Sequence, residues 1–524
     1  METPDKSTMN EINSQKSFRK KKSKEESKER SKKRPKEKSK VDSKNGSLTG
    51  TMLRLILAAG IVAAFFITRQ GVLDPKPSTR KALGDSELRE TIITMALTNP
   101  VAPKPGSREE RLASLGKKLF FDTRLSSNGK VACATCHQPD KFFTDSLPTA
   151  RGTGTTTRNT PTILNSGMAH WFFWDGRADS LAAQAVGPLE NQSEHGLTRS
   201  SLAALIELHY RDEYVQLFGN LKKIHPTQAQ VETGPTNASP KKLAAYTLAS
   251  IGPYQRLTGV LKLASDKGLQ PSSLIAEFLF RGQQVDSDAR ATEVAANVGT
   301  ALATWERLQI ANQSAFDGYL KRVTENPKSS LQSLTNEGDF TVMALAGLRI
   351  FTGRGNCSLC HRGALLSDQQ FHNIGLGEAP RQRDLPIQSW LEDVAGRAKG
   401  QFDVGQSEFN CQSRVWQNAG DLNPTRQSES CREQEFLDLN SFEGVGAFKT
   451  PPLRNVAMTA PYFHDGRAAT IDEVLQHYDQ LKAEPVIGHR EESLRPLDLS
   501  AEEKATLKAF LESLTSPARD LSGQ

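Results

Sequence analysis

The sequence predicts a mainly α-helical protein built from two repeated lobes. The stretches "EERLASLGKKLFFD" and "FTVMALAGLRIFTG" have apolar residues at helical spacing, and each leads towards a Cys-x-x-Cys pair. Residues 160–178, "TPTILNSGMAHWFFWDGRA", return at 450–468 as "TPPLRNVAMTAPYFHDGRA", an ungapped repeat at an offset of 290. Few stretches alternate between apolar and polar residues, so we expect few strands.

The 524-residue chain is long enough for several domains, and its composition divides it into five regions. We expect a disordered basic tail at 1–47, an apolar segment at 48–69 and a linker with short helices at 70–105. The first lobe is expected at 106–325, with an insertion near 220–290, and the second lobe at 326–524. The insertion carries no recognisable chemical motif, and residues 380–445 form a polar, Gly-rich loop region.

The basic tail carries most of the net charge. The formal net charge is +7, and residues 1–50 hold 16 Lys and Arg against 8 Asp and Glu, so the remainder is close to neutral. The stretch "SFRKKKSKEESKERSKKRPKEKSK" has too few apolar residues to offset the entropy cost of ordering it. Because an apolar segment follows at once, a solvated cytoplasmic tail is preferred over a nucleic-acid-binding segment.

The apolar segment predicts a membrane anchor. Its uninterrupted core, Leu55 to Ile67, is shorter than the roughly 20 residues of a full span, but Arg54 could snorkel to the interface. The basic residues before it predict a cytoplasmic N-terminus and export of everything after Arg69. The tail is long for a signal peptide and no Ala-x-Ala site follows, which favours an uncleaved anchor over a cleaved signal.

Six cysteines suit an oxidising compartment. Four of them form two Cys-x-x-Cys pairs, which leaves Cys411 and Cys431. These two are expected to form a disulfide that closes a polar loop, and two free thiols are the alternative.

Each Cys-x-x-Cys pair is followed directly by a histidine. The motifs are Cys133-Ala-Thr-Cys136-His137 and Cys357-Ser-Leu-Cys360-His361. In this spacing two thiols lie on one face of a helical turn and can add to the two vinyl groups of a haem, while the histidine binds the iron. A redox dithiol or half of a zinc site would use the same cysteines, but the adjacent histidines argue against both. The sequence therefore predicts two covalently bound c-type haems in cytochrome c-like lobes.

The group on the far side of each iron decides the function, because a haem with two protein ligands passes electrons and an open haem can bind peroxide or dioxygen. After the second repeat, "ATIDEVLQHYDQL" is a helical stretch that ends near His477 and Tyr478. Subtracting 290 from 478 gives Pro188, which has no side-chain donor atom. If this position faces the iron, Tyr478 closes the second haem and the first stays open. Alternatively, Tyr478 packs in the core, and His477 or a Met is the ligand.

Several motifs resemble those of the bacterial diheme cytochrome c peroxidase/MauG family. They are "FFDTRLSSNGKVACATCHQPDKFFTD", "RNTPTILN", "FWDGRA", "FKTPPLRNVAMTAPYFHDGRAATIDEV" and "HYD". The resemblance covers roughly residues 105–210 and 295–480. It implies a peroxidatic N-terminal haem and an electron-transferring C-terminal haem.

The resemblance also implies roles for individual residues. Trp174, which stands where the second repeat has His464, matches the tryptophan that relays electrons between the haems, although a core aromatic is the alternative. Glu194 matches the distal glutamate that manages the protons of peroxide, or else it is a surface residue. Gln184 and Pro188 also fall at family positions.

The family binds a calcium ion between its lobes, and three positions here match that site. Asn159, Thr459 and Pro461 would each supply an oxygen, the latter two through backbone carbonyls.

The sequence departs from the family's typical peroxidases at two places, and both departures resemble MauG. The loop "LPTARGTGTTTRN" lacks the distal histidine that such peroxidases release on activation, and Tyr478 replaces a methionine ligand. However, Gly355 stands where MauG has a surface tryptophan, which weakens the comparison with its route to a protein substrate. His195, at a position where Met is common, is either a second distal acid or base or a structural residue.

The expected function is reduction of hydrogen peroxide with electrons from a small c-type cytochrome or another electron donor. The first alternative is MauG-like oxidation of Trp or Tyr residues in a partner protein. The second is a diheme electron-transfer cytochrome that has no turnover of its own. The expected location is the periplasm, either anchored to the inner membrane or free after signal cleavage, with no nucleic-acid partner.

Overall fold

The computed structural model describes residues 82–98, 100–219, 289–377, 446–486 and 488–517. These residues fall within one compact unit. The predicted basic tail and anchor, most of the predicted insertion, and Cys411 and Cys431 lie outside the described residues. Within the described ranges, no helix combines the length and the apolar character needed to cross a bilayer.

The described part of the chain is mainly α-helical, as the sequence predicts. Its first helices are α1 (Asp85–Ile93), α2 (Arg108–Phe120), α3 (Cys133–Cys136), α4 (Leu181–Glu190), α5 (Arg199–His209) and α6 (Arg211–Phe218). They are followed by α7 (Ala289–Glu306), α8 (Ala315–Glu325), α9 (Val342–Thr352), α10 (Ile471–Gln480) and α11 (Ala501–Glu512). The strands β1 (Phe371–His372) and β2 (Phe448–Lys449) pair antiparallel, with Phe371 opposite Lys449.

The first hydrophobic core lies where α2 crosses α7. A Cβ atom at Gly116 would overlap the carbonyl oxygen of Ala301, so only glycine permits this close crossing. Phe120 packs against Trp305, with ring centroids 4.5 Å apart. Helices α4 and α5 complete this core with buried apolar side chains.

The second hydrophobic core has the same crossing, made by α9 and α11. A Cβ atom at Gly347 would overlap the carbonyl oxygen of Thr506, and Phe351 packs against Phe510 at 5.0 Å. This correspondence matches α2 with α9 and α7 with α11.

Helices α1 and α8 belong to the second core, which differs from the predicted boundaries at 105 and 325. Leu88 of α1 and Phe316 of α8 are fully buried there. The expected first lobe, 106–325, includes α8, but the apolar face of α8 packs on the second core.

The 290-residue offset holds in three dimensions. Asn165 and Asn455 both adopt φ 62° at the start of equivalent 3₁₀ turns, Ser166–Met168 and Val456–Met458. Further on, α4 and α10 begin and end at positions that differ by 290. Residues of the two repeats can therefore be compared position by position.

Candidate functional site: two haem-attachment motifs and the junction between them

The first Cys-x-x-Cys-His motif forms the short helix α3 and its C-cap. The His137 N–H donates to the Cys133 carbonyl at 2.9 Å, which closes the turn between thiol and imidazole. His137 Nδ1 lies 3.1 Å from the Phe143 carbonyl oxygen. Since a carbonyl can only accept, Nδ1 carries the proton, and Nε2 keeps the lone pair that an iron ligand needs.

The second motif repeats this arrangement on a 3₁₀ turn, Cys357–Leu359. The His361 N–H donates to the Cys357 carbonyl at 2.8 Å, and His361 Nδ1 lies 2.9 Å from the Leu366 carbonyl oxygen. Again Nε2 is left to bind a metal.

The thiols of both motifs fit thioether attachment better than the alternatives. Burial raises the pKa of Cys133 well above its usual range, and the carboxyl group of Glu306 adds to this shift. Burial likewise raises the pKa of Cys136 and of Cys357 to about 12. Redox dithiols and zinc ligands react as thiolates, which these surroundings disfavour. The donor set therefore fits two covalently bound haems.

One group of possible metal ligands adjoins the second motif: Cys360, Asp368 and His372. His372 Nε2 lies 3.0 Å from Asp368, and its Nδ1 lies 2.9 Å from Glu491. Both ring nitrogens are engaged by carboxylates, and the Cys-x-x-Cys-His motif assigns Cys360 to haem. We therefore interpret the group as an ion-pair network beside the second haem site.

Helix α4 is mostly buried but leaves one face uncovered. The uncovered residues are Gln184, Gly187 and Pro188, which lie on one side of the helix because they are three and four positions apart. The ring of Phe173 packs against Gly187, where a Cβ would come within 3.1 Å of it. The face is narrow, and the amide of Gln184 is its only polar side chain.

Glu194 precedes His195, whose N–H donates to the Pro188 carbonyl of α4 at 3.1 Å. Burial raises the pKa of Glu194, while Arg177 and a 2.7 Å hydrogen bond from Asn191 Nδ2 oppose the rise. Its carboxyl group in turn contributes to the raised pKa of Cys133 and of Cys136. The structure thus brings Glu194 within electrostatic range of the haem-attaching cysteines.

The loop without a histidine, residues 147–159, forms a backbone hydrogen bond with the segment that contains Glu194. The Thr153 N–H donates to the Glu194 carbonyl at 2.9 Å. At Gly152 a Cβ would come within 2.5 Å of the same carbonyl oxygen, so glycine is required for this approach. The loop covers Glu194 and offers no side chain that binds iron strongly.

The contacts of His195 favour a structural role. It is buried, its Nδ1 donates to the Leu125 carbonyl, and its Nε2 lies 3.9 Å from Cys133 Sγ. Both nitrogens thus face fixed groups, which favours the structural alternative over an acid–base role.

Helix α10 carries rings at two of the three positions equivalent to the uncovered face of α4. Val474, His477 and Tyr478 replace Gln184, Gly187 and Pro188. His477 Nε2 lies 3.1 Å from the Ile374 carbonyl oxygen. Burial raises the pKa of Tyr478 well above its usual range, and Cys357 and Cys360 add to the shift. The phenol of Tyr478 therefore lies near the second motif, where His477 is already engaged.

A junction of aromatic rings joins the two repeats. The rings of Trp174 and His464, which are equivalent residues, lie 6.5 Å apart, and Phe448 stacks on His464 at 3.6 Å. Two crossed backbone hydrogen bonds tie the repeats together. The Asn159 N–H donates to the His464 carbonyl at 2.9 Å, and the Lys449 N–H donates to the Trp174 carbonyl at 2.8 Å. Because 159 and 449 also differ by 290, this is the contact pattern of a two-fold axis.

The predicted calcium-binding residues lie at the same junction. Asn159 Nδ2 donates to the Leu147 carbonyl at 2.8 Å, which leaves its amide oxygen for a cation. The hydrogen bond from Asn159 to His464 brings it beside the segment that carries Thr459 and Pro461. These are hard oxygen donors of the kind calcium prefers.

Two buried ionisable residues were missed from the sequence. Glu306 is only 4% exposed, and burial raises its pKa to about 8. Burial lowers the pKa of Lys449 to about 8. The offset of 290 could have found Lys449 as the equivalent of Asn159. No local signal reveals Glu306, because it is an ordinary residue at the end of a helix.

Fold and site together define a class: a mainly helical oxidoreductase with two c-type haem sites. A family model described as di-haem cytochrome c peroxidase matches residues 110–254. The chain is 27% identical to the methylamine utilization protein MauG of Methylorubrum extorquens over 421 residues, which cover 79% of this chain and 80% of that protein. It is also 27% identical to the cytochrome-c peroxidase IdrP1 of Denitromonas iodatirespirans over 424 residues, 79% of this chain and 85% of the relative.

Among solved structures, a MauG-like protein associated with microbial copper homeostasis aligns with a TM-score of 0.48 and 22% identity, covering 80% of this chain and 94% of that one. The family-model match and these relatives support membership of the diheme cytochrome c peroxidase/MauG family. Because the family model and IdrP1 are both named as peroxidases, an enzyme is favoured over an electron carrier without turnover.

Proposed function

We propose that the protein reduces hydrogen peroxide at the first haem site with electrons from a small c-type cytochrome or a similar donor. One peroxide, two electrons and two protons give two waters. The observation that carries the proposal is the difference between Pro188 and Tyr478 at equivalent positions, with Glu194 in the segment that hydrogen-bonds to the Pro188 carbonyl through His195.

The chain's own residues prepare the first site for a small ligand. When bound, the haem held by Cys133, Cys136 and His137 supplies an iron that binds peroxide and accepts electrons. Pro188 has no donor atom, and Gly187 has no side chain to fill the space. The Gln184 amide can donate a hydrogen bond to the ligand.

Glu194 is the group that moves protons. Burial raises its pKa towards neutrality, so the carboxylate can accept the proton of one peroxide oxygen and return it to the leaving oxygen. Asn191 holds one carboxylate oxygen in place at 2.7 Å.

Trp174 serves as the electron relay between the sites. Its indole N–H donates to the Asn159 carbonyl at 2.9 Å, which fixes the ring at the junction beside His464. In the second site, the phenol of Tyr478 lies near Cys357 and Cys360. It would be a second protein ligand for the haem that His361 would hold, which suits that site to electron transfer and leaves no place for peroxide.

MauG-like oxidation of a partner protein is the second candidate. Tyr478 and the histidine-free loop favour it, because a phenolate ligand lowers the haem potential and stabilises high oxidation states. Against it stands Gly355 at the position of MauG's surface tryptophan.

The test is the spectrum of the protein as isolated, together with peroxide turnover by reduced cytochrome c. We expect one high-spin and one low-spin ferric haem and steady turnover. Tyr478→Met should raise the potential of the low-spin haem and leave the high-spin signal unchanged. Two low-spin haems that stay six-coordinate on reduction would overturn the proposal. Peroxide-dependent modification of Trp or Tyr in a partner, without turnover of cytochrome c, would favour the second candidate.

The proposal includes a calcium ion held by Asn159, Thr459 and Pro461. Chelation of calcium should change the haem spectra reversibly, and Asn159→Ala should weaken calcium binding.

We also propose that the protein is exported and anchored in the membrane through residues 48–69. Cell fractionation of the protein with and without that segment would test this.

A further inference from the structure

The junction contains one cation that has no protein partner within the described residues. The side chain of Lys449 is half-buried among the described residues. Burial alone lowers its pKa to about 8, and no described carboxylate opposes the shift. Removing an ammonium group from water without a counter-charge costs several kcal/mol, so buried lysines are nearly always paired.

The backbone places Lys449 between the second haem site and the electron relay. Its N–H donates to the Trp174 carbonyl at 2.8 Å. Two residues later, the backbone of Pro451 lies close enough to the ring of His361 to influence its pKa. Lys449 lies on β2, which pairs with β1. Just before β1, the Asp368 N–H donates to the Cys360 carbonyl at 2.6 Å, so β1 connects Lys449 to the second motif.

The equivalent residue in the first repeat, Asn159, indicates that this position carries a polar group near the haem site. Asn159 also lies two residues before a proline, Pro161, whose backbone contacts the proximal histidine His137. There the chain offers an oxygen donor, which suits a bound cation. At 449 the chain carries the positive charge itself.

We propose that the ammonium group of Lys449 binds a propionate carboxylate of the second haem and thereby fixes a positive charge between that haem and Trp174. A haem carries two propionates, which are anions of the kind that a buried ammonium requires. The inference depends on the second haem but not on peroxide as the substrate. It assigns Lys449 a positioning and electrostatic role.

The sign of the effect follows from the charge. A positive charge next to the haem favours the reduced form, because reduction adds an electron. Without this charge, the midpoint potential of the second haem should fall, and with it the driving force for accepting electrons from the donor.

The experiment is an optical redox titration of the complete diheme protein, in the absence of peroxide. Lys449→Met should lower the midpoint potential of the Tyr478-ligated haem, so that the ratio of reduced to oxidised haem at a fixed poise falls by about tenfold or more. Lys449→Arg, which keeps the charge, should stay within about twofold of the original ratio. Lys482→Met removes an exposed lysine four residues after Tyr478 in the sequence. This variant should also keep the ratio within about twofold of the original, because solvent screens the charge of Lys482.

Resonance Raman spectroscopy gives a second readout. The propionate bending band of the second haem should shift in Lys449→Met and not in Lys482→Met. If Lys449→Met does not accumulate with both haems, Lys449→Gln replaces it with the same expected shifts. Equal shifts in Lys449→Arg and Lys449→Met would show a packing effect and overturn the proposal. An unchanged second haem, or a shift confined to the first, would also overturn it. A loss of peroxide turnover alone would not bear on it.

Discussion

Helices α4 and α10 are the same element in two repeats, yet they present different side chains at equivalent positions. Both begin with a side-chain N-cap, span ten residues and pack an apolar face on their own core. One face carries Gln184, Gly187 and Pro188 in α4, and Val474, His477 and Tyr478 at the equivalent positions of α10. The backbone is therefore kept while a few side chains differ. In the proposed function, these side chains distinguish an open haem site from a closed one without a change of fold.

The two hydrophobic cores also differ in how many polar atoms they bury near the helix crossings. Trp305, Glu306 and Gln309 of the first repeat each bury a polar atom that has no hydrogen-bond partner in the described residues. The matching crossings of α2 with α7 and α9 with α11 make Phe510, Leu511 and Leu514 their counterparts. The first core therefore tolerates buried polarity near its haem site, whereas the second core is apolar there.

The largest effect is expected at the acid that only the first site has. Glu194→Gln should lower peroxide turnover by about 10²- to 10⁴-fold, because the amide cannot accept a proton from peroxide. Steady-state assays with reduced cytochrome c measure this. Glu213→Gln on α6 should leave turnover unchanged, because Glu213 only pairs with Lys118 at the surface. A loss below tenfold in Glu194→Gln would assign proton transfer to another group.

The buried acid Glu306 should make stability depend on pH in one repeat only. Its pKa is raised to about 8 from 4.5, so between these values the folded state holds a proton that the unfolded state releases. The free energy of unfolding therefore falls as pH rises through this window, by roughly 3 kcal/mol from this group by pH 7.

Glu306→Leu, which copies Leu511, should remove this dependence. Urea unfolding at pH 5 and pH 8 should show the variant gaining stability over the original protein at the higher pH. Glu306→Gln should behave similarly. If the two proteins differ equally at both pH values, Glu306 does not titrate as its burial indicates.

The helix crossings should respond alike in the two cores. Gly116→Ala and Gly347→Ala would each force a Cβ into a backbone carbonyl, so we expect losses of about 1–3 kcal/mol in unfolding free energy for both. Gly338→Ala, whose added Cβ would have no atom closer than 3.7 Å, should change stability by less than about 1 kcal/mol. A much smaller loss at either crossing would show that this pair of helices can separate without cost.

The smallest effects are expected at the equivalent N-caps. Ser180 accepts from the Ala183 N–H and Thr470 from the Glu473 N–H, each at 3.2 Å. Ser180 is buried and Thr470 exposed, so water can replace only the second hydroxyl. Thermal unfolding should show a loss of about 1–2 kcal/mol for Ser180→Ala and about 0.5 kcal/mol for Thr470→Ala. The reverse order would contradict this difference in solvation.

Local pattern and the internal repeat predicted much of this protein. The two Cys-x-x-Cys-His motifs predicted the haem sites because thioether attachment needs only residues that are close in sequence. The 290-residue offset paired Pro188 with Tyr478, because equivalent helices preserve the direction of equivalent side chains. The spacing of apolar residues did not reveal that α1 and α8 pack on the second core, because the apolar face of each helix could pack on either core.

The sequence by itself determined the helical class, both attachment motifs and the asymmetry of the two repeats. Only the tertiary structure decided which charged residues are buried and which hydrogen bonds join the two repeats at the junction. Glu306 and Lys449 look like ordinary surface residues in the sequence, and their pKa values shift only because distant segments remove them from water. The crossed hydrogen bonds of Asn159 and Lys449 likewise join segments almost 300 residues apart, and chain folding alone brings such segments together.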